Sequence, residues 1–375
     1  MRRSLVAVVA ALALGLTATP ALAHGGSSLH LDFRGQAIVP TGTMFQGTTI
    51  GGLSSIAYDR ARGVYYAISD DPSQFQPARY YTIALDLRHG SLDDSDVSFR
   101  DVTTLLAPDG HPYPPQSLDP EGLGLTCDRK LVITSEGFSD RLIPPFVRLY
   151  SLDGRFLRDF AVPSPFLPTA DKSSGVRPNL AFETAGVTPD CRHVFTATEN
   201  ALYQDGPAAT IANGSPSRIM RYDLGSGRLD RQWVYETDPV AEPPVPATLF
   251  SVNGIDDILP LDDDTLILME RSFSVGAPGT GNKIKLYSVS LHGATNVNGA
   301  FSLAGKLDRV RFARKRLILD LDDLGIPLDN VEGITFGPRL RDGRQSLVLV
   351  SDNNFAASQF TQFLLFAVAN RGHHS

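Results

Sequence analysis

Acidic side chains recur at matching places along this sequence. The sequence contains five units, and each unit has two successive apolar runs. An acid or a serine stands near the start of the first run, and an acid follows the end of the second. The starting anchors at 54, 121, 183, 256 and 332 give a period of 62 to 76 residues. The starting positions are Ser54, Glu121, Glu183, Asp256 and Glu332, and the closing positions are Asp70, Glu136, Glu199, Glu270 and Asp352.

The residue types at these positions indicate cation chemistry. Carboxylates that face one opening repel each other unless a cation or a basic side chain compensates them, and hard oxygen donors suit Ca²⁺. We therefore predict a calcium site, and the same carboxylates could instead hydrogen-bond backbone amides at strand ends. The predicted metal ligands are Glu121, Glu183, Asp256, Glu332 and Asp352.

Basic residues near the closing positions add a second component. Arg271, Lys283 and Arg141 are predicted to hold an anionic ligand beside the metal. Hydrolysis of a phosphate ester needs such a combination, because the metal neutralises phosphate oxygens and a carboxylate can take a proton from water. Glu121 and Glu332 are the predicted catalytic carboxylates. Each is followed by glycine, which allows close backbone approach.

The elements that must position these residues are short β-strands. Each repeat contains β-rich runs separated by Gly, Asp and Pro turns, and no segment shows sustained helical periodicity. This pattern predicts an all-β fold, a β-propeller of about five four-stranded blades, with a sixth blade possible within the long loops. The fifth unit has three strands, and the strand predicted at 31–40 can complete it by joining the two ends of the chain. All the starting and closing positions then meet at one mouth of the central channel.

The N-terminal residues and the net charge of the chain predict where the protein is located and what it does not bind. Arg2 and Arg3, an apolar stretch at 5–16 and Ala-Leu-Ala at 21–23 predict a signal peptide over residues 1–23. Residues 24–375 are then one propeller domain, periplasmic or secreted, with no membrane anchor. Without the two leading arginines the balance is 32 basic against 41 acidic residues, so we expect no binding to nucleic acid. We expect a monomer.

The two cysteines occupy the same turn of consecutive repeats. Cys127 follows the first strand of the second repeat, and Cys191 follows the first strand of the third. Neighbouring blades would bring them together, so in an exported chain we predict one disulfide; two free buried thiols are the alternative.

The chain resembles the phytase-like family of exported bacterial proteins. The resemblance rests on GLSSIAYD (52–59), DPEGLGL (119–125), FETAGVTPD (182–190), GIDDILPLDDDTLILMER (254–271) and DNVEGITFGP with SLVLVSDNNF (329–355). It implies a β-propeller, hydrolysis of phosphate esters and dependence on calcium. The predicted function is therefore that of an exported hydrolase acting on a small phosphorylated substrate. The alternatives are a non-catalytic propeller that binds a ligand or a protein, and a calcium-dependent propeller lactonase.

Overall fold

The computed structural model describes residues 29–370. The predicted signal peptide at 1–23 lies outside these residues. An outer strand, β1 (Leu29–Val39), is followed by a small hairpin of β2 (Met44–Phe45) and β3 (Thr48–Thr49). The first blade consists of β4 (Leu53–Asp59), β5 (Val64–Ser69), β6 (Arg79–Leu85) and β7 (Val97–Thr104).

The next three blades repeat this antiparallel meander. Blade 2 contains β8 (Pro120–Leu125), β9 (Lys130–Ser135), β10 (Phe146–Ser151) and β11 (Phe156–Asp159). Blade 3 contains β12 (Gly186–Val187), β13 (His193–Ala197), β14 (Pro216–Asp223) and β15 (Leu229–Glu236). Blade 4 contains β16 (Ser251–Pro260), β17 (Thr265–Ser274), β18 (Asn282–Ser290) and β19 (Arg314–Asp320).

The last blade joins the two ends of the chain, as predicted. It contains β20 (Asn330–Arg339), β21 (Gln345–Asp352) and β22 (Thr361–Asn370), and β1 is its outermost strand. The pairing of β1 with β22 is antiparallel and runs from Leu29 opposite Asn370 to Val39 opposite Thr361. The described residues thus form five four-stranded blades, and the long loops hold no sixth. The only helices among them are short 3₁₀ turns.

Alternation along the second strand of each blade explains how the ring packs. In β21, Leu347 and Leu349 face blade 4, whereas Val348 and Val350 face blade 1. Successive side chains of a strand point to opposite faces, so a strand between two neighbouring blades must be apolar on both. Five apolar clusters fill the five blade–blade contacts, which accounts for the continuous apolar runs in the sequence.

A disulfide joins blades 2 and 3, as the equivalent turn positions predicted. Cys127 lies in the β8–β9 turn and Cys191 in the β12–β13 turn, with Cα atoms 5.9 Å apart. Both turns lie on the face opposite to the starts of the inner strands. Within residues 29–370, no helix is both long and apolar enough to cross a membrane.

Candidate metal and substrate site

The acidic starting positions coincide with irregularities of the inner strands. Pairing with the second strand shifts register around Ser54, Glu121, Asp256 and Glu332, each of which falls within a β-bulge. A bulge leaves an extra residue outside the ladder and re-aims its side chain. Because the strands bulge at the same level of four blades, these side chains are directed towards the mouth of the channel rather than into the blade–blade clusters.

Two groups of carboxylates lie close enough to share a cation. Within each group, one oxygen of every member lies within 4.8 Å of the others. Glu136 belongs to both groups, so the two are continuous. The first group is Asp119, Glu121 and Glu136, and the second is Glu136, Glu183 and Glu199. We call these five residues the mouth cluster.

Close backbone packing makes room for the cluster. A Cβ on Gly254 would lie 2.2 Å from Cγ of Glu199, so only glycine lets that side chain cross the start of the next blade. A Cβ on Gly122 would lie 2.4 Å from the carbonyl carbon of Thr184, so blades 2 and 3 also approach closely here. The glycine after Glu121 therefore serves the contact between blades that brings Glu121 towards Glu183.

The charge of the cluster is poorly compensated. Burial raises the pKa of Glu121, Glu183 and Glu199 well above their ordinary values, and neighbouring carboxylates raise them further. Burial and the nearby Glu136 raise the pKa of Asp119 to about 8. Glu183 and Glu136 are hydrogen-bonded to each other, which requires a proton between them. In the absence of a cation, the cluster thus holds protons near neutral pH.

One arginine serves the blade 4 and blade 5 side of the mouth. Arg271 Nε donates to Asp256 Oδ1 at 2.8 Å, and its Nη2 lies 3.3 Å from Glu332 Oε1. Burial favours the neutral guanidine, but Asp256 and Glu332 outweigh this effect and raise the pKa of Arg271. Its side chain is 14% exposed, so it is not fully closed off from solvent.

The other predicted residues occupy different settings. Asp352 accepts from the backbone NH of Asn354 at 2.7 Å, and burial raises its pKa to about 6. Lys283 Nζ lies 2.6 Å from Asp322, and Arg141 donates to the carbonyl of Gln116 at 2.9 Å. The structure therefore brings Arg271 to the mouth, whereas Lys283 and Arg141 make their contacts outside the cluster.

Three members of the mouth cluster were not among the residues predicted to bind metal. Glu136 and Glu199 stand at closing positions of blades 2 and 3, so the repeat itself marks them. Asp119 lies two residues before Glu121, and the pair of acids around Pro120 is the signal that would have indicated it. Glu270 also stands at a closing position, but it is not a member of the mouth cluster. It accepts hydrogen bonds from Asn253 Nδ2 at 2.8 Å and Lys315 Nζ at 2.7 Å.

Comparisons with known proteins agree with the motifs and the fold. Residues 48–355 match the family model described as Phytase-like, esterase-like activity of phytase, and the chain belongs to that family. No curated protein matches the sequence.

Several solved structures are similar at low identity. An endo-arabinase from Bacteroides thetaiotaomicron is 12% identical with a TM-score of 0.42, over 91% of this chain and 99% of that one. A tail fiber of Staphylococcus aureus phage P68 is 10% identical with a TM-score of 0.40, over 92% of this chain and 53% of that one. An aldose sugar dehydrogenase from Streptomyces coelicolor is 14% identical with a TM-score of 0.33, over 89% and 82%. Likeness at this level carries no argument about function.

Proposed function

We propose that the protein is an exported, calcium-dependent hydrolase of phosphate esters whose site is the mouth of the propeller channel. The observation that carries this proposal is the convergence of five buried or nearly buried carboxylates beside Arg271. Membership of the Phytase-like family supports ester hydrolysis. The Cys127–Cys191 disulfide supports export, because such bonds persist in oxidising compartments.

The residues present fit a hard cation. All donors of the mouth cluster are carboxylate oxygens, the ligands that Ca²⁺ prefers. Glu199 Oε1 and Asp256 Oδ2 are buried without a hydrogen-bond partner among the described residues. Such atoms are costly to bury, and a bound cation would satisfy them. When bound, calcium would neutralise phosphate oxygens and make a bound water more acidic.

The mouth cluster would hold the cation, with Glu136 shared between two positions. Asp256, Glu332 and Asp352 remain proposed ligands on the side of blades 4 and 5, where Arg271 lies between the first two. Arg271 would bind a phosphate oxygen through its guanidinium group. It would also hold Asp256 and Glu332 in place.

Two carboxylates would move protons in this proposal. Burial raises the pKa of Glu121, so its carboxylate would be a strong base once a bound cation had displaced its proton. It would then accept a proton from the attacking water and return it to the leaving oxygen. Glu332 is held by Asn330 Nδ2 at 2.7 Å and by Arg271, and it would orient the same water from the opposite side of the mouth.

The test is release of phosphate from a panel of phosphomonoesters that includes phytate, with added Ca²⁺ and with a chelator. We expect activity that needs Ca²⁺ and that falls by at least about a hundredfold in Glu121→Gln, in line with removal of a general base. Glu236→Gln is the matched control, because Glu236 is an exposed acid at the end of β15. Full activity in both Glu121→Gln and Glu332→Gln would contradict the catalytic assignment.

A second candidate is a propeller whose mouth binds a ligand or a protein without turnover, or hydrolyses an oxygen-rich substrate such as a lactone. The observation in its favour is that two carboxylates already neutralise Arg271, which leaves it less free to hold a phosphate. Lactones belong in the same substrate panel. Hydrolysis of lactones but not phosphomonoesters would favour the lactonase, and calcium-dependent ligand binding without turnover would favour the binding protein.

A further inference from the structure

A groove between blades 5 and 1 opens on the face opposite to the mouth cluster. Its volume is about 660 Å³. The β20–β21 turn forms one wall, and the end of β6, the start of β7 and their connection form the other. These segments come together because β1, β21 and β22 of the last blade, with Leu340 just after β20, pack against the first blade around a shared apolar cluster. We call this cavity the basic groove.

Arginines dominate the charged lining of the basic groove. Its charged residues are Arg88, Arg100, Arg339, Arg341, Asp86 and Asp96. Four arginines against two aspartates leave a local charge of +2 (4 − 2), whereas the whole chain carries −7. The groove therefore reverses the sign of the chain's overall charge.

The two acids are already engaged. Asp86 accepts from Arg88 Nε at 2.8 and 3.0 Å through its two oxygens. Asp96 accepts from the backbone NH of Asp93 at 2.9 Å and closes the capping box of the short 3₁₀ turn Asp94–Asp96. The acids thus fix the shape of one wall and the position of Arg88, and they do not reach across to the other arginines.

Two of the arginines have no partner. Among residues 29–370, neither Arg100 nor Arg341 makes a side-chain hydrogen bond or an ion pair, and Arg339 donates only to the carbonyl of Gly343 at 2.8 Å. Arg100 is the extra residue of a bulge, since Thr82 pairs with Asp101 and Ile83 pairs with Phe99. A bulge is a local means of re-aiming one side chain.

The floor of the basic groove is apolar. Leu87 and Leu340 are 6% and 5% exposed and belong to the apolar cluster between blades 5 and 1. Pro338 and Leu85 extend this surface. An apolar floor under a cationic rim lowers the local dielectric constant, so charge-assisted hydrogen bonds to an anion are stronger here than on a flat surface.

We propose that the basic groove binds a small organic molecule that carries two or more phosphate groups. Guanidinium groups match phosphate oxygens with two parallel N–H donors, and Arg100 and Arg341 have those donors unused. The carbon part of the ligand would pack on Leu87 and Leu340. This site is separate from the proposed hydrolytic site, because it lies on the other face and contains no member of the mouth cluster.

The experiment measures binding of inorganic tripolyphosphate by calorimetry to the whole protein, with a chelator present to keep the mouth free of cations. We expect saturable binding by the wild type. The double variant Arg100→Ala/Arg341→Ala should weaken it by about tenfold or more for each arginine removed, as for hydrogen bonds to charged groups.

The matched control is Arg314→Ala/Arg316→Ala, which removes two exposed arginines from the outer strand of blade 4 and changes the net charge equally. It should bind tripolyphosphate as the wild type does. Equal weakening in both double variants would assign the effect to net charge and overturn the proposal. Absence of binding by the wild type, or unchanged binding by Arg100→Ala/Arg341→Ala, would also overturn it. None of these outcomes tests the proposed activity at the mouth, so the two proposals can fail independently.

Discussion

Two sets of carboxylates are buried in this molecule, and they differ in their partners. Asp205 receives Arg218 Nε at 2.6 Å and Nη2 at 2.9 Å, as well as the backbone NH of Leu303 at 2.9 Å. Asp71 binds Arg79 at 2.7 Å and three backbone NH groups of its own loop. In contrast, the mouth cluster brings five carboxylates together, and Arg271 forms its ion pairs with Asp256 and Glu332, which lie outside the cluster.

The first set of acids stabilises the folded state, whereas the second set destabilises it. A buried ion pair with all its hydrogen bonds made is costly to break, because either partner alone would be left charged and unsolvated. Adjacent buried carboxylates without counter-charge instead weaken the folded state, and they persist only where something else requires them. We therefore expect the two sets to respond to mutation with opposite signs, and a cation to act on the mouth cluster alone.

The largest effect should come from breaking a satisfied pair. Arg218→Ala leaves Asp205 ionised and buried, and removing one partner of such a pair costs about 3–5 kcal/mol. Urea denaturation measures the loss. Arg316→Ala is the control, because Arg316 is exposed and its replacement should change stability by no more than about 0.5 kcal/mol. Equal stability of the two variants would remove the basis for calling the Asp205 pair structural.

Calcium should act next, and through the mouth only. A cation that binds the folded state at a hundred times its Kd stabilises it by about 2.7 kcal/mol. Glu136→Gln should lose most of this gain, because Glu136 belongs to both carboxylate groups. Glu236→Gln should keep it. The measurement is the thermal unfolding temperature of the three proteins with and without Ca²⁺. An unfolding temperature of the wild type that does not change with Ca²⁺ would contradict the proposed cofactor.

The pH dependence of the metal-free protein should also show the mouth cluster. The folded pKa of Asp119 is about 8, above the value of about 4 for a free carboxyl. The folded state then binds more protons than the unfolded state between these values, so stability is present at low pH and falls as pH rises towards 8. One such carboxyl contributes a slope of about 1.4 kcal/mol per pH unit. Denaturation at pH 6 and pH 8 in chelator tests this, and Asp119→Asn should flatten the profile.

The smallest effect should have the opposite sign to the first. In metal-free buffer at pH 8, Glu183→Gln removes a carboxyl whose pKa is raised by burial and by neighbouring carboxylates, and we expect a gain in stability of about 1 kcal/mol. Asp205→Asn is the contrasting variant and should destabilise. A loss of stability in Glu183→Gln would show that the cluster is held together by hydrogen bonds rather than strained by its charge.

The sequence predicts the ring better than the mouth, for a physical reason. Every blade must bury both faces of its second strand, so runs such as Leu347–Val350 repeat the same apolar signal along the chain. The disulfide follows from the same regularity, because Cys127 and Cys191 occupy equivalent turns. Closure by β1 was predictable because the fifth unit is one strand short.

The mouth depends on contacts that local pattern does not encode. Glu136 and Glu270 hold equivalent positions in their repeats, yet Glu270 receives Lys315 from the outer strand of its blade while Glu136 faces Glu183 of the next blade. Whether a closing acid is paired with a base or faces another acid therefore depends on residues far away in sequence. The bulges around Glu121 and Glu332 likewise become visible only when strands are paired.

The strand order of the last blade also has a consequence for how the protein is made. β1 ends at Val39, whereas its partner β22 begins at Thr361, so 361 − 39 = 322 positions separate the two strands along the chain. At about 5–20 residues per second, a ribosome needs roughly 15 to 60 seconds to bridge that interval. During this time the first strand has no partner, and an unpaired strand edge is a site for aggregation. Closure of the last blade therefore has to wait until β22 has been synthesised, and loss of β22 should leave β1 without a partner at the other end of the ring.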